Sequence, residues 1–271
     1  MTRATLLGIE RVIASQTAVL KQHIHDGAGK RALGWLKAPD VWRNLRGAIE
    51  KRQPGTGEWL ISSPEFQTWL SSPQFLWVTG IPGAGKTILS STVVATLLCQ
   101  QEASRNAVVF SCFDFQDASK QQSDTLLKAI LAQLAMRSSE ALDCLTGLHD
   151  GCSGLRGPSS DELLSVVTAA LALFPQTFVV VDAVDECSDR SMVLKYLGAL
   201  SKLPNLHLIA FSRREADIER AFQSIAQEIT LTTKSVDKRH RHVRETQNGV
   251  IGRHGFLGFR RQNQGTRLFD S

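Results

Sequence analysis

Hydrophobic residues along the chain fall into two rhythms. Five short runs are dense in bulky or β-branched side chains and bounded by turn formers: Phe75–Thr79, Ala107–Phe113, Thr177–Asp182, Leu206–Ser212 and Gln227–Thr232. Runs of this length and make-up predict strands, and the central ones, apolar at nearly every position, predict strands covered on both faces. Between them lie segments with three- and four-residue apolar spacing: Ile88–Gln100, Thr125–Met136, Leu163–Phe174, Met192–Lys202 and Ala216–Phe222. These predict helices. Alternation of the two kinds predicts an α/β fold, a mainly parallel five-stranded sheet with helices on both faces.

The flanking segments are read in the same way. Leu6, Ile9, Ile13 and Leu20 predict an amphipathic helix over 4–25, ended by Asp26-Gly27-Ala28-Gly29-Lys30. Val41–Arg52 predicts a short helix, Gln53–Leu60 a tight turn, and Ser63 a cap for a helix over Pro64–Leu70, with Trp59 and Trp69 as core residues. Gly147–Ser160, with its glycines and Pro158, predicts a loop before a capping box made by Ser159 and Glu162. The expected organisation is an N-terminal helix (1–30), a helical linker (31–73), a core domain (74–233) and a basic, disordered tail (234–271).

Composition narrows the picture. A length of 271 residues and 42% hydrophobic content suit one main globular domain. No apolar run reaches membrane-spanning length, and the N-terminus has no apolar signal core, so an intracellular, cytoplasmic protein is expected. The cysteines at 99, 112, 144, 152 and 187 are odd in number and scattered, which indicates neither a disulfide framework nor a zinc site. The net charge of +5 is local: residues 234–271 hold 9 basic and 3 acidic side chains, leaving 22 basic and 23 acidic elsewhere. The body therefore carries no nucleic-acid signature.

The densest chemical signal is Gly80-Ile81-Pro82-Gly83-Ala84-Gly85-Lys86-Thr87, which matches G-x-x-x-x-G-K-[ST] between a predicted strand and a predicted helix. Glycines at 80, 83 and 85 leave out Cβ atoms, so a turn running through Ile81, Pro82 and Ala84 can wrap phosphate oxygens closely with its backbone N–H groups, which every residue but Pro82 supplies. The following helix aims its N-terminal N–H groups at the same point, Lys86 adds a mobile positive charge, and Thr87 offers a hydroxyl to Mg²⁺. With average residue usage, a chance match in a chain of this length has a probability on the order of 1%.

A second signal sits at the end of the third predicted strand, Phe178-Val179-Val180-Val181-Asp182, followed by Ala183-Val184-Asp185-Glu186. Parallel strands deliver side chains to the crevice at their carboxyl ends. Asp182 is then a candidate to hold Mg²⁺ opposite Thr87, and either Asp185 or Glu186, with a slight preference for Glu186, is a candidate to orient an attacking water. Arg213, at the end of the fourth strand, is a candidate γ-phosphate sensor.

Four stretches together, Gly55-Thr56-Gly57-Glu58-Trp59-Leu60, Leu76–Ser91, Val179–Cys187 and Phe211-Ser212-Arg213-Arg214, resemble fungal NACHT-type NTPases of the STAND group, in the subclass with nephrocystin-like N-terminal domains. The resemblance implies a sheet ordered 5-1-4-3-2, ATP or GTP with Mg²⁺, slow hydrolysis, and a nucleotide-controlled switch to a homo-oligomer or to assembly with related NACHT proteins. It implies phosphate binding by Gly80–Thr87, metal binding by Asp182, hydrolysis roles for Asp185 and Glu186, a sensor role for Arg213, and approach of the base to Thr56 and Gly57. Relatives continue into a winged helix and repeats where Arg239–Ser271 lacks periodicity, so the chain reads as C-terminally truncated, with a frameshifted or mis-spliced tail. The alternative readings are a non-catalytic interaction fragment acting on intact relatives and a free-standing P-loop phosphotransferase.

Overall fold

In a computed structural model, residues 27–100 and 104–231 are described. The expected helix over 4–25 and the basic tail lie outside them. Five strands form one sheet: β1 (Phe75–Gly80), β2 (Ala107–Cys112), β3 (Thr177–Asp182), β4 (Leu206–Ser212) and β5 (Gln227–Leu231). Their order is β2-β3-β4-β1-β5 and every pairing is parallel, which is the implied 5-1-4-3-2 order read from the other edge. The chain is therefore an α/β protein of three layers.

The two-residue period of the strands divides the core. Leu76 and Val78, Val108 and Phe110, Phe178 and Val180, and Ile209 and Phe211 face one layer. That layer contains α2 (Val41–Lys51), α4 (Pro64–Ser71) and α5 (Lys86–Gln100). Trp77, Val109, Val179, Val181 and Leu208 face the other. There lie α1 (Gly27–Leu36), α6 (Asp124–Ala135), α7 (Ser139–Gly151), α8 (Ser160–Leu171), α9 (Arg190–Leu200) and α10 (Ala216–Phe222). A short helix, α3 (Glu58–Ile61), precedes α4.

Covering on both sides explains why α5 is apolar almost all round: it sits on the sheet and is itself covered by α2. The segment before β1 reaches into this core through Phe66 and Trp69, both fully buried, and the Trp69 indole N–H donates to the Leu208 carbonyl at 2.9 Å. Trp59 is only half-buried. At the β2 edge the Gln133 carboxamide from α6 substitutes for a missing strand. Its Oε1 accepts the Phe110 N–H at 3.1 Å and its Nε2 donates to the Phe110 carbonyl at 2.7 Å, satisfying the outward backbone groups of one residue in the middle of this edge strand.

Two expectations are corrected. Gly27–Lys30, read from the sequence as a helix breaker, is itself helical and belongs to α1. A Cβ on Gly29 would lie 3.0 Å from Leu142 Cδ2, so this glycine serves close packing of α1 on α7 rather than a turn. Residues 147–151 are not loop but the last turns of α7, which Ser138 caps by accepting the Ala141 N–H. Gly147 and Gly151 face open space and cost the helix about 1 kcal/mol each, which the buried stripe Ala141, Leu142, Leu145 and Leu148 outweighs. The turn itself comes later, where Ser153 and Gly154 take φ of 55° and 63°. The Ser159–Glu162 capping box forms as expected.

Candidate functional site

β1, β3 and β4 end side by side, and the expected site residues other than Thr56 and Gly57 gather at those ends. The glycine turn leaves β1 at Gly80, where a Cβ would approach Leu231 Cβ to 2.9 Å, so this glycine admits β5. Gly83 and Gly85 have φ of 75° and 83°, the left-handed region that L side chains avoid, and a Cβ on Gly83 would meet nothing within 4 Å. The turn is thus held open on its outer side. Lys86 folds back over it, its Nζ donating to the Gly80 carbonyl at 2.7 Å and the Ile81 carbonyl at 3.1 Å. Half-burial pushes the ammonium pKa down, an effect that Asp185 opposes and Arg213 reinforces.

Asp182 ends β3 on the α5 side of the sheet. Burial raises its pKa to about 6, against the pull of the Thr87 and Ser90 hydroxyls and the Ala183 backbone N–H. Its Oδ1 is buried without a hydrogen-bond partner. An orphaned carboxylate oxygen beside a threonine hydroxyl is a set of hard oxygen donors, the kind Mg²⁺ takes with its remaining positions left to water and phosphate. Among the described residues no group of three or more His, Cys, Asp or Glu side chains is placed to hold a metal ion. The chain then turns through Ala183, whose φ of 56° is a left-handed conformation costing a non-glycine residue on the order of 1 kcal/mol. That turn is what brings Asp185 and Glu186 back to the crevice.

Here the two acids separate. Asp185 is buried and committed: its Oδ1 accepts the Arg213 backbone N–H at 2.9 Å and its Oδ2 pairs with Arg213 Nε at 3.1 Å. Glu186 instead lines a cavity of about 380 Å³, together with Thr87, Ser90 and Asp182, over an apolar floor that includes Val94 and Phe110. Burial raises the Glu186 pKa, with Asp185 and Asp114 adding to it, while the Phe115 backbone N–H, donating to Oε2 at 3.2 Å, opposes it. Cys112, paired in register with Asp182, also lines the cavity, and its thiol is pushed up to about 12, so it stays protonated. Thr56 and Gly57 sit elsewhere. The Thr56 carbonyl accepts from Arg52 Nε at 3.0 Å, Gly57 (φ 89°) packs against Thr92 of α5, and neither lines the cavity.

The family described as nephrocystin 3, N-terminal, matches residues 55–213. The chain belongs to this family. Its match runs from the Gly55 turn to Arg213, so it spans all three strand ends just described. A curated relative, the vegetative incompatibility protein HET-E-1 of Podospora anserina, is 23% identical over 183 residues, covering 64% of this chain and 13% of that protein. The chain thus matches a small fraction of that relative's length. Solved structures of the Drosophila ORC with Cdc6 on GC-rich and AT-rich DNA are also similar, at 10% and 12% identity and TM-scores of 0.37 and 0.35. Those alignments cover 77% and 79% of this chain and 60% and 61% of the matched chains. No helix among the described residues is long and apolar enough to cross a membrane.

Sequence reasoning missed several residues of this site. Ser90 lies three residues from Thr87 on one helix face, a spacing that could have placed it near Asp182. The Phe115 amide and Gln121, discussed below, leave no signal in the sequence at all.

Proposed function

We propose that this domain is a nucleotide-controlled switch of the NACHT type, binding ATP or GTP with Mg²⁺ and hydrolysing it slowly. The observation that carries the reading is the orphaned Asp182 Oδ1 beside Thr87, at the mouth of a glycine turn whose outer side is open. In this reading the N–H groups of the Gly80–Thr87 turn, Pro82 excepted, receive the phosphates, and Lys86 exchanges its two carbonyl partners for phosphate oxygens, a charge-assisted and stronger set of bonds. Thr87 and Asp182 would hold Mg²⁺, which when bound neutralises phosphate charge. Glu186 orients the attacking water from the cavity wall. Asp185 acts on the reaction through Arg213, which it fixes by two bonds, so it is a positioning residue. Thr56 and Gly57 are proposed on the side of the base. Assembly with copies of itself or with related proteins, and a role in incompatibility-like signalling in the cytoplasm, are proposed from the resemblance and the HET-E-1 relative.

The test is equilibrium binding of ATP and GTP with Mg²⁺ to wild type and Lys86→Ala, followed by phosphate release over hours. Micromolar binding lost in the variant, with slow release by wild type, supports the reading. A folded wild type that binds neither nucleotide overturns it.

A further inference from the structure

The orientation of Glu186 is set from a different part of the chain. The loop after β2 approaches the Glu186 carboxylate with the Phe115 N–H, at 3.2 Å from Oε2. The Phe115 side chain is 56% exposed, so packing does not fix this residue. A second hydrogen bond does: Gln121 Nε2 donates to the Phe115 carbonyl at 2.6 Å. The Gln121 backbone carbonyl in turn accepts the Ser188 N–H at 2.9 Å, the Ser188 hydroxyl at 2.9 Å and the Cys187 thiol at 3.2 Å. The bonds close a ring. Glu186 is tied at its carboxylate through Phe115, and the segment that follows it in sequence is tied through Gln121.

We infer that Gln121 is a positioning residue for Glu186, holding one carboxylate oxygen on the Phe115 N–H so that the other faces the cavity where the reacting water would lie. The inference rests on the proposed role of Glu186 in hydrolysis. Its physical basis is that a carboxylate free to rotate presents either oxygen in many orientations, whereas one oxygen tied to a fixed amide leaves the second in a defined direction. Misplacement of a reacting group by about 1 Å can lower a rate on the order of 100-fold. The amide also favours the ionised form, opposing burial and the neighbouring carboxylates.

The informative variant is Gln121→Met in the full chain. It keeps the side-chain volume and the backbone carbonyl that Cys187 and Ser188 use, and removes only the donor to Phe115. Turnover and nucleotide affinity are measured alongside amide hydrogen exchange at Phe115, with Glu186→Ala as the second exchange arm. The expected result is a kcat lowered about 10-fold with KM and Kd unchanged, because binding does not use Glu186 whereas the chemical step needs its orientation. Phe115 exchange is expected to accelerate in both variants. If Gln121→Met does not fold, Gln121→Glu, of equal length but unable to donate when ionised, takes its place with the same expectation. An unchanged kcat overturns the inference, as does Phe115 exchange that neither variant alters. If wild type shows no turnover, the hydrolysis reading has failed, and the exchange result alone decides whether Gln121 orders Glu186.

Discussion

The glycine turn and the acid corner face each other across one crevice but are built in opposite ways. Gly80–Thr87 is contiguous: eight consecutive residues supply the open turn, the cation and the hydroxyl, and its shape is set by two positive-φ glycines. The acid corner is assembled from the ends of β3 and β4 and the loop after β2: the contiguous segment carrying Asp182, Asp185 and Glu186 is joined to Arg213, Phe115 and Gln121 only by folding. A local device depends on backbone conformation, whereas a distributed one depends on the register of a whole sheet. The two should therefore fail differently when they are perturbed.

The largest expected effect is on the turn. Lys86→Ala should weaken nucleotide binding on the order of 100-fold or more, since charge-assisted bonds to phosphate are lost. The melting temperature should change little, because Lys86 holds only two carbonyls of its own turn. A large loss of stability in calorimetry would break the comparison by making the turn part of the structural frame.

In the acid corner stability and function should instead oppose each other. The Asp182 pKa is raised above its usual value to about 6. With the folded value above the unfolded one, this group leaves stability intact below about pH 4. It then lowers stability as pH rises through 6, because the folded state must ionise a buried carboxyl. In chelator and without nucleotide, the stability advantage of Asp182→Asn over wild type should therefore grow as pH rises across that window. At pH 7 the variant is expected to be more stable by on the order of 3 kcal/mol, at about 1.4 kcal/mol per pKa unit, while losing Mg²⁺-supported binding. Urea unfolding across pH checks both halves.

Asp185→Ala is expected to cost about 1–2 kcal/mol, because the Arg213 N–H and guanidinium lose a buried acceptor. Nucleotide affinity should fall much less than in Lys86→Ala, and phosphate release more than affinity. Equal losses of both would return Asp185 to direct contact with the nucleotide. Smallest is a control outside both regions: Ser159→Ala should cost about 1 kcal/mol by removing the cap of α8, with binding unaffected.

The contrast also explains what could be read beforehand. Strand sites, sheet class and the glycine turn follow from apolar runs and a contiguous motif, and they appear where the sequence predicts them. The two glycine-rich segments misled for one reason. Gly29 is small so that α1 can approach Leu142, and Gly147 and Gly151 are tolerated on an open helix face, yet in sequence all three look like turn formers. Whether a glycine marks a turn or a close contact depends on its neighbour in space. In the same way Asp185 and Glu186 are equivalent as a sequence pair, and only the position of Arg213 and of the Phe115 amide tells them apart.

The sequence by itself determined the α/β class, the phosphate-cradle-like turn, the acid at the end of β3 and membership of a resembling family, because each is written in adjacent residues or in a short period. Tertiary structure decided the division of labour in the acid corner, the capping of the β2 edge by Gln133 and the tie from Gln121 to Glu186. Those depend on parallel register between strands far apart in the chain, and no local pattern encodes which side chains that register brings together.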